Sequence, residues 1–508
     1  MSQIKTASAV SYLTIITNVI IGIGLTPLIL DSLGKSEYGL YMLVGSFIGY
    51  LALLDFGLTP TTVRFVSKYR HEKNKDKEES FIATNLGIYA GIALVVALIG
   101  LILYTTIDYF FANLSADELV LFKVMYLLML LNLIWVMIRG ALVGIIMAYE
   151  QFNFSKILNY FRIILRAITI IILLKSGGKA LGIVIIDTVL NLIILLTYYG
   201  FIRYKLPVRF IFSKFNKKYI NKIFSYSIWI FLGVLMDQLY WRSGQTILGI
   251  KSTTEEIAVY AIGMLFISYY MTMSSAISGL FLPKATKMFV NKASKVELNN
   301  LMVKVGRIQW FVISNMLFGF MFFGKQFIQL WIGDGYEDSW LIAIMIMLTL
   351  TIPSLQNVGN TILEAYNLHV RKIQVNTALA VVSVVVAVYL VDIYDSIGIA
   401  IAIAFSVLLG QVVYNNYYFK KHIGLNLKTY ALSMFKGNII SIPLIIFSAY
   451  LLNLISFDSG SWYNLAFKVL IFIIMSVILI YFVAMNSYEK GLVNSIILKV
   501  LKVLKIKR

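Results

Sequence analysis

The chain alternates between long apolar runs and short polar or basic connections. A helix of ~20 apolar residues crosses a hydrocarbon core of ~30 Å, so each run reads as a membrane span. Fourteen are expected, at 8–30, 38–66, 81–105, 120–148, 156–174, 181–203, 222–249, 256–282, 299–323, 339–363, 371–391, 397–419, 429–452 and 463–485. Two connections are marked by polarity alone, at Asp117-Glu118 and Glu150-Gln151. The second run is no plain anchor. Asp55 lies inside it, Pro60 near its inner end and Arg64 just beyond, and Gly45 and Gly49 form a G-x-x-x-G pair suited to close helix approach. A carboxylate and a helix-breaker within hydrocarbon both cost free energy and mark a transport route.

Lys and Arg gather in alternate connections. One set holds Lys68, Arg70, Lys73, Lys75 and Lys77, the stretches 203–222 and 284–295, Arg371-Lys372 and Lys420 to Lys428, together with both chain ends. The other holds only Lys35, Lys175, Lys179, Lys251 and Lys325. The basic set, and with it both termini, is therefore expected in the cytoplasm. An internal repeat runs at an offset of about 219 residues. EYGLY at 37–41 falls on EIAVY at 256–260, and Gly87 on Gly306; later the offset slips slightly, so that Ala148-Tyr149 matches Ala365-Tyr366 and Gly182-Ile183 matches Gly398-Ile399. Each unit holds six spans, an even number, so the two are parallel repeats. The expected organisation is an all-α integral membrane protein. Its parts are an N-terminal six-helix lobe (1–204), a basic cytoplasmic linker (205–221), a C-terminal six-helix lobe (222–420) and an added helix pair with a basic tail (421–508).

Composition agrees. Of 508 residues, 60% are hydrophobic and only 13% charged, against about 25% charged in soluble proteins. The net charge of +20 follows the alternate loops and points to a membrane rather than to nucleic acid. With no cysteine, disulfides, thiolate metal sites and a cysteine nucleophile are excluded. The three histidines, His71, His369 and His422, sit in basic connections without metal-ligand spacing, so no metal is expected. Ala7-Ser8-Ala9 precedes the first apolar run, on the wrong side for a cleavage site, and the first helix is read as retained. Gly22-Ile23-Gly24 is followed by Pro27 where a phosphate-cradling loop needs its third glycine. With no loop long enough for a nucleotide-binding domain, neither an enzyme nor a cofactor is expected.

Charges inside the spans are the candidate chemistry. Arg139 shares a face with Asn132 and Trp135, and its span has no acidic partner for it. Asn159, Arg162 and Arg166 form one face of the fifth span, where Arg162 reads equally well as an interfacial residue. Arg307 stands one turn from Lys304 in the inner half of the ninth span. Asp237 and Arg242 are five residues apart, about 140° around a helix, and do not pair. Asp55 and Arg64 likewise fall on opposite faces of a straight helix. Asp55 and Asp237 are candidates for ion coupling, although Asp55 beside Gly57 also fits a cap. Asp187 and Asn191 lie nearer the outside and read as structural.

Three short motifs carry a resemblance. Glu37-Tyr38-Gly39, then Leu54-Asp55-Phe56-Gly57-Leu58, then Arg64-Phe65-Val66 resemble the second helix of Wzx-type polysaccharide flippases, members of the multidrug/oligosaccharidyl-lipid/polysaccharide exporter superfamily. The resemblance implies two six-helix lobes about a central cavity, plus a helix pair that in some relatives lines a groove for a lipid tail. It also implies an undecaprenyl-pyrophosphate-linked oligosaccharide as substrate, the bacterial cytoplasmic membrane as location, and a polymerase of the same pathway among the partners. On this reading Arg64, Arg139, Arg166 and Arg307, all in cytoplasmic halves of spans, draw in the pyrophosphate, and Arg242 receives it in the outer half. A peptidoglycan-precursor flippase and an ion-coupled multidrug exporter are the rival readings. The excess of basic over acidic buried residues argues against cationic drugs.

Overall fold

The computed structural model describes residues 2–291, 293–366, 368–454 and 461–505. Every long element among them is a helix, and no strand occurs. In chain order these are α1 (Ser2–Ala52), α2 (Leu58–His71), α3 (Lys75–Phe110), α4 (Ala116–Ala148), α5 (Phe152–Lys175) and α6 (Ala180–Lys205). They continue with α7 (Lys218–Trp241), α8 (Ser243–Lys251), α9 (Thr254–Gly279), α10 (Leu282–Val290), α11 (Lys295–Ile332), α12 (Glu337–Leu355) and α13 (Asn357–Ala365). Last come α14 (His369–Val407), α15 (Asn415–His422), α16 (Leu427–Phe435), α17 (Asn438–Leu454), α18 (Trp462–Leu479) and α19 (Ser487–Lys505).

Ten helices among the described residues are long and apolar enough to cross a membrane, or eleven if the bent pair α16–α17 forms one span. The difference from fourteen has physical causes. Two long runs, at 9–71 and 369–422, each cover two expected spans. Their helices meet at single non-helical residues, Gly34 (φ 76°, ψ 171°) and Asp395 (φ 44°, ψ −132°). The expected span 222–249 is interrupted at Arg242 into α7 and α8, and the expected span 429–452 bends by 49° between α16 and α17.

The chain forms two compact units, Met1–Ile262 with Asn376–Ile403, and Gly263–Val375 with Ala404–Arg508. The boundaries between these units fall within α9 and α14, and the stretch 205–221 lies inside the first unit. That stretch is held against the start of α3. The Lys214 ammonium reaches Asp76 (2.8 Å) and Glu79 (2.6 Å), Ser80 donates to the Lys214 carbonyl, and the Asn216 N–H donates to Thr84. The hydrogen bonds from Lys214 to Asp76 and Glu79 hold its ammonium above its usual pKa.

Within the first unit, Glu37 caps α6. Its carboxylate accepts from the Ala180 N–H (2.8 Å) and meets Lys179 at 3.5 Å, so a negative charge sits at the positive end of a helix. The repeat reproduces this contact. Glu256 accepts from Ser396 Oγ (2.7 Å), just past the break at Asp395. Gly39 explains the third position of the first motif, since a Cβ there would lie 1.7 Å from the Thr254 carbonyl oxygen. The close approach expected at Gly45 and Gly49 thus occurs earlier along α1. Nothing lies near a Cβ at Gly45, and one at Gly49 would meet only the flexible Gln238 side chain.

In the second unit a buried ion pair docks α19. Arg307, only 5% exposed, forms a two-pronged contact with Glu489 (Nε–Oε1 2.6 Å, Nη2–Oε2 2.9 Å). Its other N–H groups go to the carbonyls of Ser433, Lys436 and Ala484. Glu489 also accepts from the Asn486 N–H while Asn486 Oδ1 accepts from the Glu489 N–H, a reciprocal cap that starts α19. This corrects the expectation for Arg307: all five donors are taken, and none is left for a phosphate. Arg307→Met should therefore lower stability by about 3–5 kcal/mol, because Glu489 is left charged and buried. Adding Glu489→Gln should recover part of the loss. Thermal aggregation of the purified variants in detergent measures both, and additive losses would rule out the pairing.

Candidate functional site

The first unit gathers three arginines around two side chains of α6. Asn191 and Asp187 are one turn apart on that helix and face α4 and α5. The Asn191 Oδ1 accepts from both Arg139 Nη1 (2.8 Å) and Arg162 Nη1 (2.9 Å). Its amide nitrogen donates to Asn132 Oδ1 (2.7 Å) on α4, which fixes the orientation of the amide. Next to it, Arg166 meets Asp187 in fork geometry, Nε to Oδ1 at 2.5 Å and Nη2 to Oδ2 at 2.8 Å. Tyr41 of α1 lies beside Arg166 and Asp187, within electrostatic reach of Arg242.

Three guanidinium groups thus share one carboxylate and one neutral amide. Like charges at one oxygen repel, and the neutral acceptor satisfies hydrogen bonds without cancelling charge. The Arg162 Nε is buried with no hydrogen-bond partner. A partly enclosed cationic site with an unmet N–H suits an anion with several oxygens, and guanidinium forks match phosphate geometry.

Sequence reasoning placed Arg139 and Arg166 here and left Arg162 undecided. It assigned Asp187 and Asn191 to structure and missed Tyr41. The available signal was spacing, because Arg162/Arg166 and Asp187/Asn191 are each i, i+4 pairs on consecutive helices. Arg307 belongs to the other unit. Arg64 is exposed on α2, its guanidinium 5.9 Å from the Phe65 ring.

Asp55 and Arg242 both stand at interruptions. Between α1 and α2, Leu53–Asp55 forms a tight turn and Phe56 (φ 50°) and Gly57 (φ 62°) are left-handed. Asp55 closes the turn just before Gly57, and no side-chain hydrogen bond caps α2 there. Phe56 packs against Phe224 and Phe231 of α7. A Cβ at Gly57 would fall 2.2 Å from Ile230, so glycine is required by both its φ and its contact. Pro60 sits in the first turn of α2, where its missing N–H costs nothing. Arg242 separates α7 from α8 with an exposed side chain, and Asp237 is exposed on α7. Broken helices with polar groups at the break are a recurrent way to build transport sites.

The second unit adds an apolar groove of about 810 Å³. Its wall is Trp310, Leu317 and Phe318 of α11, Ile352 of α12, and Tyr430 and Met434 of α16. At one end Gln356 and Asn416 bond each other (2.8 Å) beside Lys420. No group of three or more potential metal ligands occurs among the described residues.

Solved structures share this fold. The lipid II flippase MurJ in an inward closed conformation superposes with a TM-score of 0.68 at 16% identity, over 93% of this chain and 97% of that one. An inward-facing multidrug resistance MATE family transporter of the MOP superfamily gives 0.59 at 16%, over 80% and 96%. A MOP superfamily transporter from Pyrococcus furiosus gives 0.58 at 12%, over 83% and 95%. No curated protein matches the sequence. The family model described as polysaccharide biosynthesis protein matches residues 5–289. That is more than half of the chain, and the chain belongs to this family, with the fold of the MOP superfamily transporters.

Proposed function

We propose that the protein is a Wzx-type flippase. It moves an undecaprenyl-pyrophosphate-linked oligosaccharide across the bacterial cytoplasmic membrane by alternating access, for cell-surface polysaccharide assembly. A diphosphate and a sugar chain cannot cross hydrocarbon unshielded. The observation that carries the reading is the pair Arg139 and Arg162 held on the neutral Asn191, beside Arg166. These arginines receive the pyrophosphate, with Arg64 on its approach and Arg242 at the helix break on its exit. The apolar groove along α11, α12 and α16 accepts part of the polyprenyl tail. The six-helix lobes at 1–204 and 222–420 are the bodies that open alternately, and a polymerase of the same pathway takes up the product. A peptidoglycan-precursor flippase would present the same pyrophosphate, so vesicle transport of the two lipids, compared directly, decides between them.

Orientation belongs to the same proposal. Reporter fusions after Lys77, Asn216, Lys295 and Lys421 should read cytoplasmic, and fusions near Ser115 and Asp334 external. An external signal at Asn216 would break the two-lobe plan.

Arg139→Ala and Arg162→Ala should each slow flipping about ten-fold or more while the protein still accumulates. Arg139→Lys should recover part of the rate, because a point charge lacks the fork. Asn191→Asp separates function from folding. It gives the two guanidiniums a carboxylate, so thermal stability should hold or rise while flipping falls. Normal flipping by Asn191→Asp would show that the positive charge is not what the substrate needs.

Ion coupling is tested at Asp55 and Asp237. Asp55→Asn and Asp237→Asn keep side-chain shape and remove charge. If either residue couples a proton or cation, its variant should lose the dependence of flipping on pH or sodium. An unchanged dependence in both removes that role.

A further inference from the structure

The second unit also holds a polar pocket of about 600 Å³ that the transport reading does not use. Lys295, Asn299 and Lys304 line it from the first turns of α11, Asn426 and Thr429 from the start of α16, and Tyr488 from the start of α19. The buried Arg307–Glu489 pair closes one side and is internally neutral. The two lysines therefore give the pocket its charge. Lys304 Nζ lies 3.3 Å from the centroid of the Tyr488 ring. A ring face positions an ammonium without cancelling it. The volume is in the range of small-ligand sites.

The helix that leads away from the pocket indicates where its ligand comes from. In α19 the residues Lys490, Lys499, Lys502 and Lys505 alternate with Leu, Val and Ile, giving by sequence a basic amphipathic helix of the kind that lies along a membrane surface. The connections around Lys295 and Asn426 belong to the basic, cytoplasmic set, where anionic lipids are drawn to clustered lysines. Lysine serves phosphate as a compact point charge.

We propose that this pocket binds the phosphate group of an anionic lipid of the inner leaflet, which holds the start of α19 at the membrane surface. The site is independent of the arginine cluster in the first unit. The test uses the full-length protein in nanodiscs of phosphatidylcholine with and without phosphatidylglycerol. Native mass spectrometry counts the phosphatidylglycerol retained on release. Lys295→Gln/Lys304→Gln should weaken retention about five-fold per lysine. Lys73→Gln/Lys75→Gln, which removes the same charge from the first unit, should leave it unchanged. Both variants keep the Arg307–Glu489 pair, and matching thermal stability checks that they fold. A second arm adds inorganic phosphate as competitor. If phosphate binds wild type but not the Lys295/Lys304 variant, and lipid retention is equal in the two, the site stands with free phosphate as its ligand. If neither probe distinguishes the Lys295/Lys304 variant from wild type, or the Lys73/Lys75 variant loses as much lipid, the pocket is not a phosphate site.

Discussion

A guanidinium inside an apolar helix bundle must find acceptors for five N–H groups and an answer to its charge. This chain answers that demand in two ways. Arg307 is closed by Glu489 and three backbone carbonyls, leaving a neutral, saturated clamp that fixes α19 to α11. Arg139 and Arg162 are given the hydrogen bonds of one amide oxygen and no counter-charge of their own. The residue type is the same in the two places, although Arg307 is buried and Arg139 and Arg162 are half-buried. The partner decides whether an arginine's charge is cancelled or left over.

Single polar contacts also define the repeat. Glu37 caps the helix beginning at Ala180, and Glu256 meets Ser396 at the matching position of the second repeat. In each case a carboxylate near the start of one span holds the start of another that is four spans further on. Glu37 uses a helix N-terminal N–H, a group with no partner within its helix, whereas Glu256 uses the Ser396 hydroxyl.

The periodic part of the fold was legible from sequence, because membrane helices must hide their own backbone and therefore announce themselves by length. The helix class, the repeat and the motif around Asp55 all rest on local pattern. Breaks were harder. A span through 222–249 looks continuous, yet it is interrupted at Arg242, where no proline marks the site and the nearest glycine, Gly244, already lies within α8. The partner of each charge was harder still. The only acidic residues of α4, Asp117 and Glu118, lie in its first turn, about six turns from Arg139, and that distance suggested a cavity. Its actual partner, Asn191, lies fifty-two residues on. Arg307 looked like a companion of Arg139 and differs only because Glu489, 182 residues away, folds back onto it. Spacing finds partners on one helix; pairing between helices depends on how they pack.

If the proposed function holds, Asn191 has a chemistry that suits a site which must be both filled and emptied. A carrier returns without its cargo, so the empty state has to be stable enough to form. An aliphatic residue at 191 would leave two adjacent guanidiniums without their acceptor, and the empty site would be strained by repulsion and lost hydrogen bonds. A carboxylate would stabilise the empty site so well that an incoming pyrophosphate would have to displace a bound anion. The amide lies between these limits. It accepts from both arginines when no substrate is present, and it cannot match a phosphate oxygen in charge when one arrives. The neighbouring Arg166–Asp187 fork ties α5 to α6. With no anion bound, the amide is already in place to receive the arginine N–H groups.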